Sequence, residues 1–404
     1  VNPMNGKGLL RLIAIAVLVL PLGGCWNSRE LNELAIVSGI GMDLVPETDE
    51  YRVTFQLVNP SSTSTSNSPG SGKPAIVVVS ATDKTMFGAL RRASKHVTRQ
   101  LFFAHTQLIV LGEPLARDGI NDIFDIFERS HELRLNSEVL VARGSDAASV
   151  LKLLTPVESL PALGLVKKAQ NTSSVWGENR PISVFNVIQG ITGEGDLTIN
   201  AVKIKGDAEE GKKKSNLEGS ETLTETMMNG LGVFRKGKLL YWMKDSEARG
   251  TEWLLNEIEE TVLNIDSDDK KEAIAVNIIY SRTELNTTIE NGIPVFHVTI
   301  AEEGSINETE SFVDLSKREE IMKLEQELEK QTRLEVMQAF QKGQQLESDI
   351  FNFGNELKRT NPQEWAAMDR DWGRIFAQGK LDLKVKAYIR STGMSLKPYI
   401  PKGK

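Results

Sequence analysis

Chains that catalyse carry acid–base or nucleophilic side chains at defined spacings, and few such patterns occur here. The four histidines, His96, His105, His131 and His297, fall in no zinc-protease spacing, and a single cysteine cannot build a thiolate cage. Each reads as a surface or hydrogen-bonded strand histidine. No serine stands in a Gly-x-Ser-x-Gly elbow. Gly70-Ser71-Gly72-Lys73 has the outline of a phosphate loop, but Pro74 replaces the required hydroxyl and Asn67 the leading glycine. Gly39-Ile40-Gly41 begins a dinucleotide fingerprint that Leu44 interrupts where the third glycine belongs. The sequence therefore predicts no enzyme, no cofactor and no metal site.

One residue does have a specific chemistry. Lys7 and Arg11 precede an uncharged apolar run from Leu12 to Leu20, followed by Pro21 and then Leu22-Gly23-Gly24-Cys25. This is the layout of a secretory signal, too short for the roughly 20 apolar residues of a membrane span. The Leu22-Gly23-Gly24-Cys25 junction resembles the bacterial lipobox, in which the cysteine thiolate takes a diacylglyceryl group and cleavage frees its amine. The small residues before the cysteine let a peptidase approach the backbone. The competing reading is an ordinary signal followed by a buried cysteine. Lipidation at Cys25 implies a mature chain starting there and a membrane anchor, since each buried methylene contributes about 0.8 kcal/mol.

With 404 residues, 40% hydrophobic and 25% charged, the chain has the composition of a globular protein of two or three domains. Loss of residues 1–24 removes two cations and takes the net charge from −7 to −9, which argues against nucleic acid as a partner. A single cysteine excludes an internal disulfide. The expected layout is a lipoprotein signal peptide (1–24), an N-terminal domain (25–200), a linker or loop that could belong to a small middle domain (201–228), and a C-terminal domain (229–404).

The elements that would carry this layout alternate. Residues 35–43 read as a buried strand, and 51–57 as a half-buried strand hairpinned to it, with Tyr51, Val53, Phe55 and Leu57 on one face. Low-complexity residues 61–72 read as a mobile loop, and 75–81 as a buried strand. Met86, Leu90, Ala93, Val97 and Leu101 recur at helical spacing. Strands are predicted at 105–111, 137–143 and 197–205. Helices are predicted at 120–129, from an Ser145 N-cap through Leu154, and over much of 157–190 with breaks at Pro161 and Pro181. The pairs 231–235 and 238–243 form a hairpin about Lys236-Gly237, ahead of a helix around Trp253 and strands at 273–281, 284–289 and 294–301. Ser316 to Glu319 matches a capping box opening the longest helix. Pro362 opens a helix with Trp365, Met368 and Trp372 on one flank, and 380–390 alternates as a strand. The fold class is α/β of the α+β type, with mixed sheets flanked by helices.

The junction block from Gly24-Cys25-Trp26-Asn27-Ser28-Arg29-Glu30 to Val37, with Gly39-Ile40-Gly41-Met42-Asp43, resembles the GerAC (Ger(x)C) family of spore germination lipoproteins. So do Arg99, Phe102-Phe103-Ala104-His105, Leu108 to Glu113, Asp349 to Gly354, Pro362, Trp365 and Trp372. Asn27 replaces the usual Asp and Met42 the usual Ile or Val. The resemblance implies three mixed α/β domains and a non-enzymatic C subunit of a germinant receptor. It implies anchoring to the outer face of the spore's inner, cytoplasmic membrane beside polytopic A and B subunits. Trp26, Arg29 and Glu30 would lie nearest the bilayer, as partner interface or as a cap on the first domain. Trp365 and Trp372 read as core anchors, and Gly39 and Gly41 as a close-packed strand. The rival is a substrate-binding lipoprotein of a membrane transporter, which normally has two similar lobes.

Overall fold

The computed structural model describes residues 30–59, 74–130, 132–193 and 196–393. Two sheets organise them. In the first half, in chain order, are β1 (Leu34–Val45), β2 (Glu50–Val58), β3 (Ile76–Asp83), α1 (Met86–Arg92), β4 (Gln100–Phe102), β5 (Leu108–Gly112), α2 (Glu113–Asp118), α3 (Asn121–Arg129), β6 (Glu138–Ala142), α4 (Ala147–Lys152), α5 (Pro161–Trp176), α6 (Val184–Thr192) and β7 (Leu197–Lys205). After a short α7 (Ala208–Gly211), β8 (Glu225–Arg235) and β9 (Lys238–Met243) complete the first sheet. Its order is β3-β2-β1-β5-β6-β7-β8-β9, with β4 beside the start of β1. The centre, β1-β5-β6-β7, is parallel and both flanks are antiparallel. Parallel strands need cover on both faces, which explains why β5 and β6 are buried throughout.

The second sheet holds β10 (Thr261–Ile265), β11 (Ile274–Glu290), β12 (Ile293–Thr309) and β13 (Lys380–Ser391), with β13 parallel to β12 and the other pairs antiparallel. Helix α8 (Ser246–Leu255) and α9 (Arg318–Gln345) cover one face. The 28 residues of α9 span about 42 Å and bury Leu324, Leu328, Val336 and Phe340. Then come α10 (Phe353–Thr360), α11 (Pro362–Met368) and α12 (Trp372–Gln378). Phe296, Phe340, Phe351, Phe353 and Phe376 form an aromatic core, with Phe296 stacked on Phe353 at 4.3 Å.

The expected mixed sheets flanked by helices are present, and several local readings change. The polar residues Thr54 and Gln56 of β2 are buried, because the sheet is covered on both sides. Gln56 Oε1 accepts from Ser38 Oγ and the Ala162 amide, and its Nε2 donates to the Leu151 carbonyl. Strand β3 is a partly exposed edge, not a buried strand. The helix expected to reach Leu101 stops at Arg92 and continues as a 3-10 turn to His96, since Leu101 pairs with Ala35. Asp146, not Ser145, caps α4 by accepting from the Ser149 amide. The Ser316–Glu319 capping box does not form, because Ser316 Oγ donates to Asp314 and α9 starts at Arg318. Two predicted strands merge into the single 17-residue β11. Trp365 and Trp372 lie on separate helices yet meet edge to face at 5.2 Å. The expected loop 61–72 lies outside the described residues.

Residues 201–228 are not a free connection. They include the end of β7, α7 and the start of β8, and buried Asn216 donates to the Leu154 and Thr224 carbonyls and accepts from the Thr224 amide. The first sheet also runs past residue 229 to Met243, where the Lys236-Gly237 turn, with φ of 51° and 75°, closes the last hairpin. Leu231, Val233 and Met243 share the core of the second sheet, so the two halves are joined by packing.

Candidate functional site

Of the residues expected to form the anchor and its surroundings, Leu22, Gly23, Gly24, Cys25, Trp26 and Arg29 lie outside the described residues. Glu30 is described and exposed. Its carbonyl accepts from the Glu33 amide at 3.0 Å and its carboxylate from Asn32 Nδ2 at 3.1 Å, holding the 3-10 turn Leu31–Glu33 that leads into β1. The chain thus enters the body beside β4, where Leu34 pairs with Gln100.

The motif residues downstream are occupied in building the body. Gly39 and Gly41 let α4 and α5 lie directly on β1: a Cβ at Gly39 would stand 2.9 Å from Ala162 Cβ, and one at Gly41 3.0 Å from Leu151 Cδ1. Asp43 ends in the first turn of α4, accepting from the Ala147 amide at 2.7 Å and the Ala148 amide at 3.1 Å, with Arg52 at 3.2 Å. Arg52 also reaches Asp146 at 2.5 Å. Burial raises the Asp43 pKa, against the pull of the Ala147 amide and Arg52. Burial also opposes ionisation of Glu113, but the Gly144 N–H, Arg117 and Trp242 Nε1 hold its carboxyl below the usual range.

Asp349 is the corresponding knot of the C-terminal half. Fully enclosed, it accepts from the Phe351, Phe353 and Gly354 amides and, at 2.8 Å, from Trp372 Nε1. Burial raises its pKa and the four donors oppose that rise. Beside it Ser348 Oγ donates to Asp196 at 2.6 Å, the Asp196 amide donates to the Asp349 carbonyl, and Arg235 donates to the Leu346 carbonyl at 2.7 Å. These bonds stitch the two halves together along a cleft of about 440 Å³, whose lining includes Asp196, Arg235, Glu347, Arg370 and Trp372. Burial, reinforced by the neighbouring Asp349, brings Asp196 to about 6, against the Ser348 hydroxyl and the Lys236 amide. Two ion pairs lie in the cleft wall, Arg235 with Glu347 and Arg374 with Asp371.

One arrangement was invisible in sequence. His297 on β12 touches Thr288 Oγ1 on β11 through Nε2 and Asp382 on β13 through Nδ1, both at 3.0 Å. The order is that of a nucleophile relay, but acyl transfer also needs donors aimed at a developing oxyanion. The β12 backbone around His297 is engaged by both neighbouring strands, and the trio lies on an open sheet face. It acts as a cross-strand network. Among the described residues no group of three or more His, Cys, Asp or Glu side chains is placed to hold a metal, and no helix is long and apolar enough to cross a membrane.

The described residues thus form a mixed α/β body of two sheets, tied by a buried carboxylate knot. Residues 27–204 match the model of the spore germination protein N-terminal domain, and residues 229–393 that of the spore germination B3/GerAC-like C-terminal domain. The chain belongs to this GerAC-like family of spore germination proteins. It is 30% identical to spore germination protein KC of Bacillus subtilis (strain 168) over 393 residues, 96% of each chain. It is 26% identical to spore germination protein B3 of the same organism over 380 residues, covering 91% of this chain and 94% of the relative. The crystal structure of the GerBC protein shares the fold with a TM-score of 0.55 at 21% identity, over 87% of this chain and 97% of that one.

Proposed function

We propose that this protein is the C subunit of a nutrient germinant receptor, anchored through lipid on Cys25 to the outer face of the spore's inner membrane. It works by contact with two polytopic subunits, not by turning over a substrate. The observation that carries this reading is the full-length relationship to spore germination proteins. The lipobox-like Leu22-Gly23-Gly24-Cys25 supports the anchor. Confinement to one membrane raises the effective concentration of any partner in it, so a modest interface suffices for a lasting complex. The unlike architectures of the two halves favour this role over that of a transporter's substrate-binding lipoprotein.

Deletion of the gene in a spore former tests the reading. Spores should lose their response to one class of nutrient while non-nutrient triggers stay effective, with recovery from the wild-type gene and not from Cys25→Ala. Normal nutrient germination in spores lacking this gene and its paralogues would reject it.

A further inference from the structure

From Lys84 to Gly112 the chain contains no Asp or Glu and five cations, Lys84, Arg91, Arg92, Lys95 and Arg99, within a protein of net charge −7. All five are exposed. Asp83 neutralises Arg92 at 2.6 Å, but Lys84, Lys95 and Arg99 make no ion pair among the described residues. Phe87 projects from the same segment, 53% exposed, with Arg91 stacked on its ring at 5.0 Å. Between the helix and β4 lies a hollow of about 130 Å³ lined by Leu90, Leu101, Phe103 and Ile126, rimmed by Arg91 and Arg99, with Glu132 its one carboxylate.

The position of this segment matters as much as its charge. β4 pairs with the first residues of β1, Leu34 with Gln100 and Ala35 with Leu101, so the basic segment stands where the chain enters the body. Five residue steps separate Cys25 from Glu30 and span at most about 18 Å. A lipid on Cys25 therefore holds this corner within reach of the headgroups. Clustered Lys and Arg are drawn to anionic lipid, and an exposed aromatic flanked by cations suits the interface between headgroups and acyl chains.

We propose that the cationic segment of α1 and β4, from Lys84 to Arg99, rests on the anionic phospholipid surface and sets the orientation of the body on the membrane. This rests on the anchored-subunit reading for its placement. The hollow beside Phe87 gives an acyl chain or glycerol a seat, while Lys84, Arg91, Lys95 and Arg99 meet the phosphates.

The test is hydrogen exchange of the full acylated chain in vesicles of phosphatidylglycerol with phosphatidylcholine, against vesicles of phosphatidylcholine alone. Peptides covering 84–102 should exchange on the order of tenfold more slowly in the anionic vesicles, and the difference should vanish at about 0.5 M salt. The K84E/R91E/K95E/R99E variant should lose the difference while β5 and β6 exchange unchanged, which shows that the fold is intact. Phe87→Ser should weaken the protection without abolishing it. Equal exchange in both lipids, or protection indifferent to charge reversal, overturns the proposal. Protection that appears only in spore membranes and follows a protein partner also overturns it. Flotation with anionic vesicles alone would keep the basic face and reject the anchor, whereas flotation with neither would reject both.

Discussion

Trp372 donates its indole N–H to the carboxylate of Asp349 at 2.8 Å, across 23 residues of chain and inside the core of the C-terminal half. The same carboxylate receives three backbone amides from the turn that starts α10. A buried group with four donors orders the turn and two helices together, so removal of the acceptor leaves several unpaired donors behind. Asp349→Ala should destabilise the protein by about 3 kcal/mol or more. Trp372→Phe, which removes one donor and keeps most of the ring, should cost about 1–3 kcal/mol. Chemical denaturation of both variants and the double mutant gives the coupling directly. Additive effects would show that the indole contact does not strengthen the knot.

Long helix α9 also guards the open edge of β13. Glu329 accepts from the Ala387 amide at 3.2 Å, Glu325 from the Ile389 amide at 2.9 Å, and Arg333 donates to the Leu383 carbonyl at 2.8 Å. Glu325 and Glu329 stand four apart, one helical turn, and meet amides two residues apart on the strand. Unprotected edges recruit other strands. E325A/E329A should expose both amides, speed their exchange and promote self-association detectable by light scattering. A monomer with unchanged exchange would show the edge to be protected by other means.

Close packing of α4 and α5 on β1 predicts that Gly39→Ala is costly. The new methyl would meet Ala162 Cβ at 2.9 Å and Leu151 at 3.2 Å, both in a filled core. Overpacking of this kind costs about 1–3 kcal/mol. A lowered thermal midpoint is expected, and Gly39→Ala combined with Ala162→Gly should recover part of it. Neutral behaviour of the single variant would mean that the helices shift freely.

Buried carboxylates make stability depend on pH. Burial raises Glu302 to about 8, against the donation of Thr332 Oγ1 and with Glu335 and Glu329 adding to the rise. Burial likewise brings Glu138 and Glu252 to about 7. A carboxyl whose pKa is higher folded than unfolded favours the native state while protonated, and that contribution fades as pH climbs from the unfolded value toward the folded one. Stability should thus decline from about pH 5 to pH 8, and Glu302→Gln should flatten the upper part of the curve. Thermal melts across this range check it. A wild-type curve that rises with pH would contradict the assignment.

Much of the fold could be read from periodicity where burial follows one face, as in α3, expected at 120–129 and found at Asn121–Arg129 with Ile123, Phe124 and Phe127 buried. Errors arose where distant contacts override local pattern. Gln56 looked solvent-facing, yet it is enclosed and bonded to Ser38, Leu151 and Ala162. Leu101 continued a helical spacing, but pairing with Ala35 draws it into β4. Strand β10, five residues long, was not anticipated because so short a run carries little periodic signal. For the site, Asp349 to Gly354 stood out as a motif, but its role needed Trp372 brought back from 23 residues away. The His297–Asp382 contact joins residues 85 apart, and the basic corner acquires meaning only once β4 is seen beside the point of chain entry.

Affinity capture of the tagged full chain from detergent-solubilised spore membranes, paired with mass spectrometry of the Cys25 peptide, tests the receptor-subunit account most directly. The account predicts a diacylglyceryl-modified Cys25, co-purification of two polytopic membrane proteins, and loss of both membrane retention and co-purification in Cys25→Ala. An unmodified Cys25, or recovery of a transporter ATPase and permease in place of those two proteins, would contradict it.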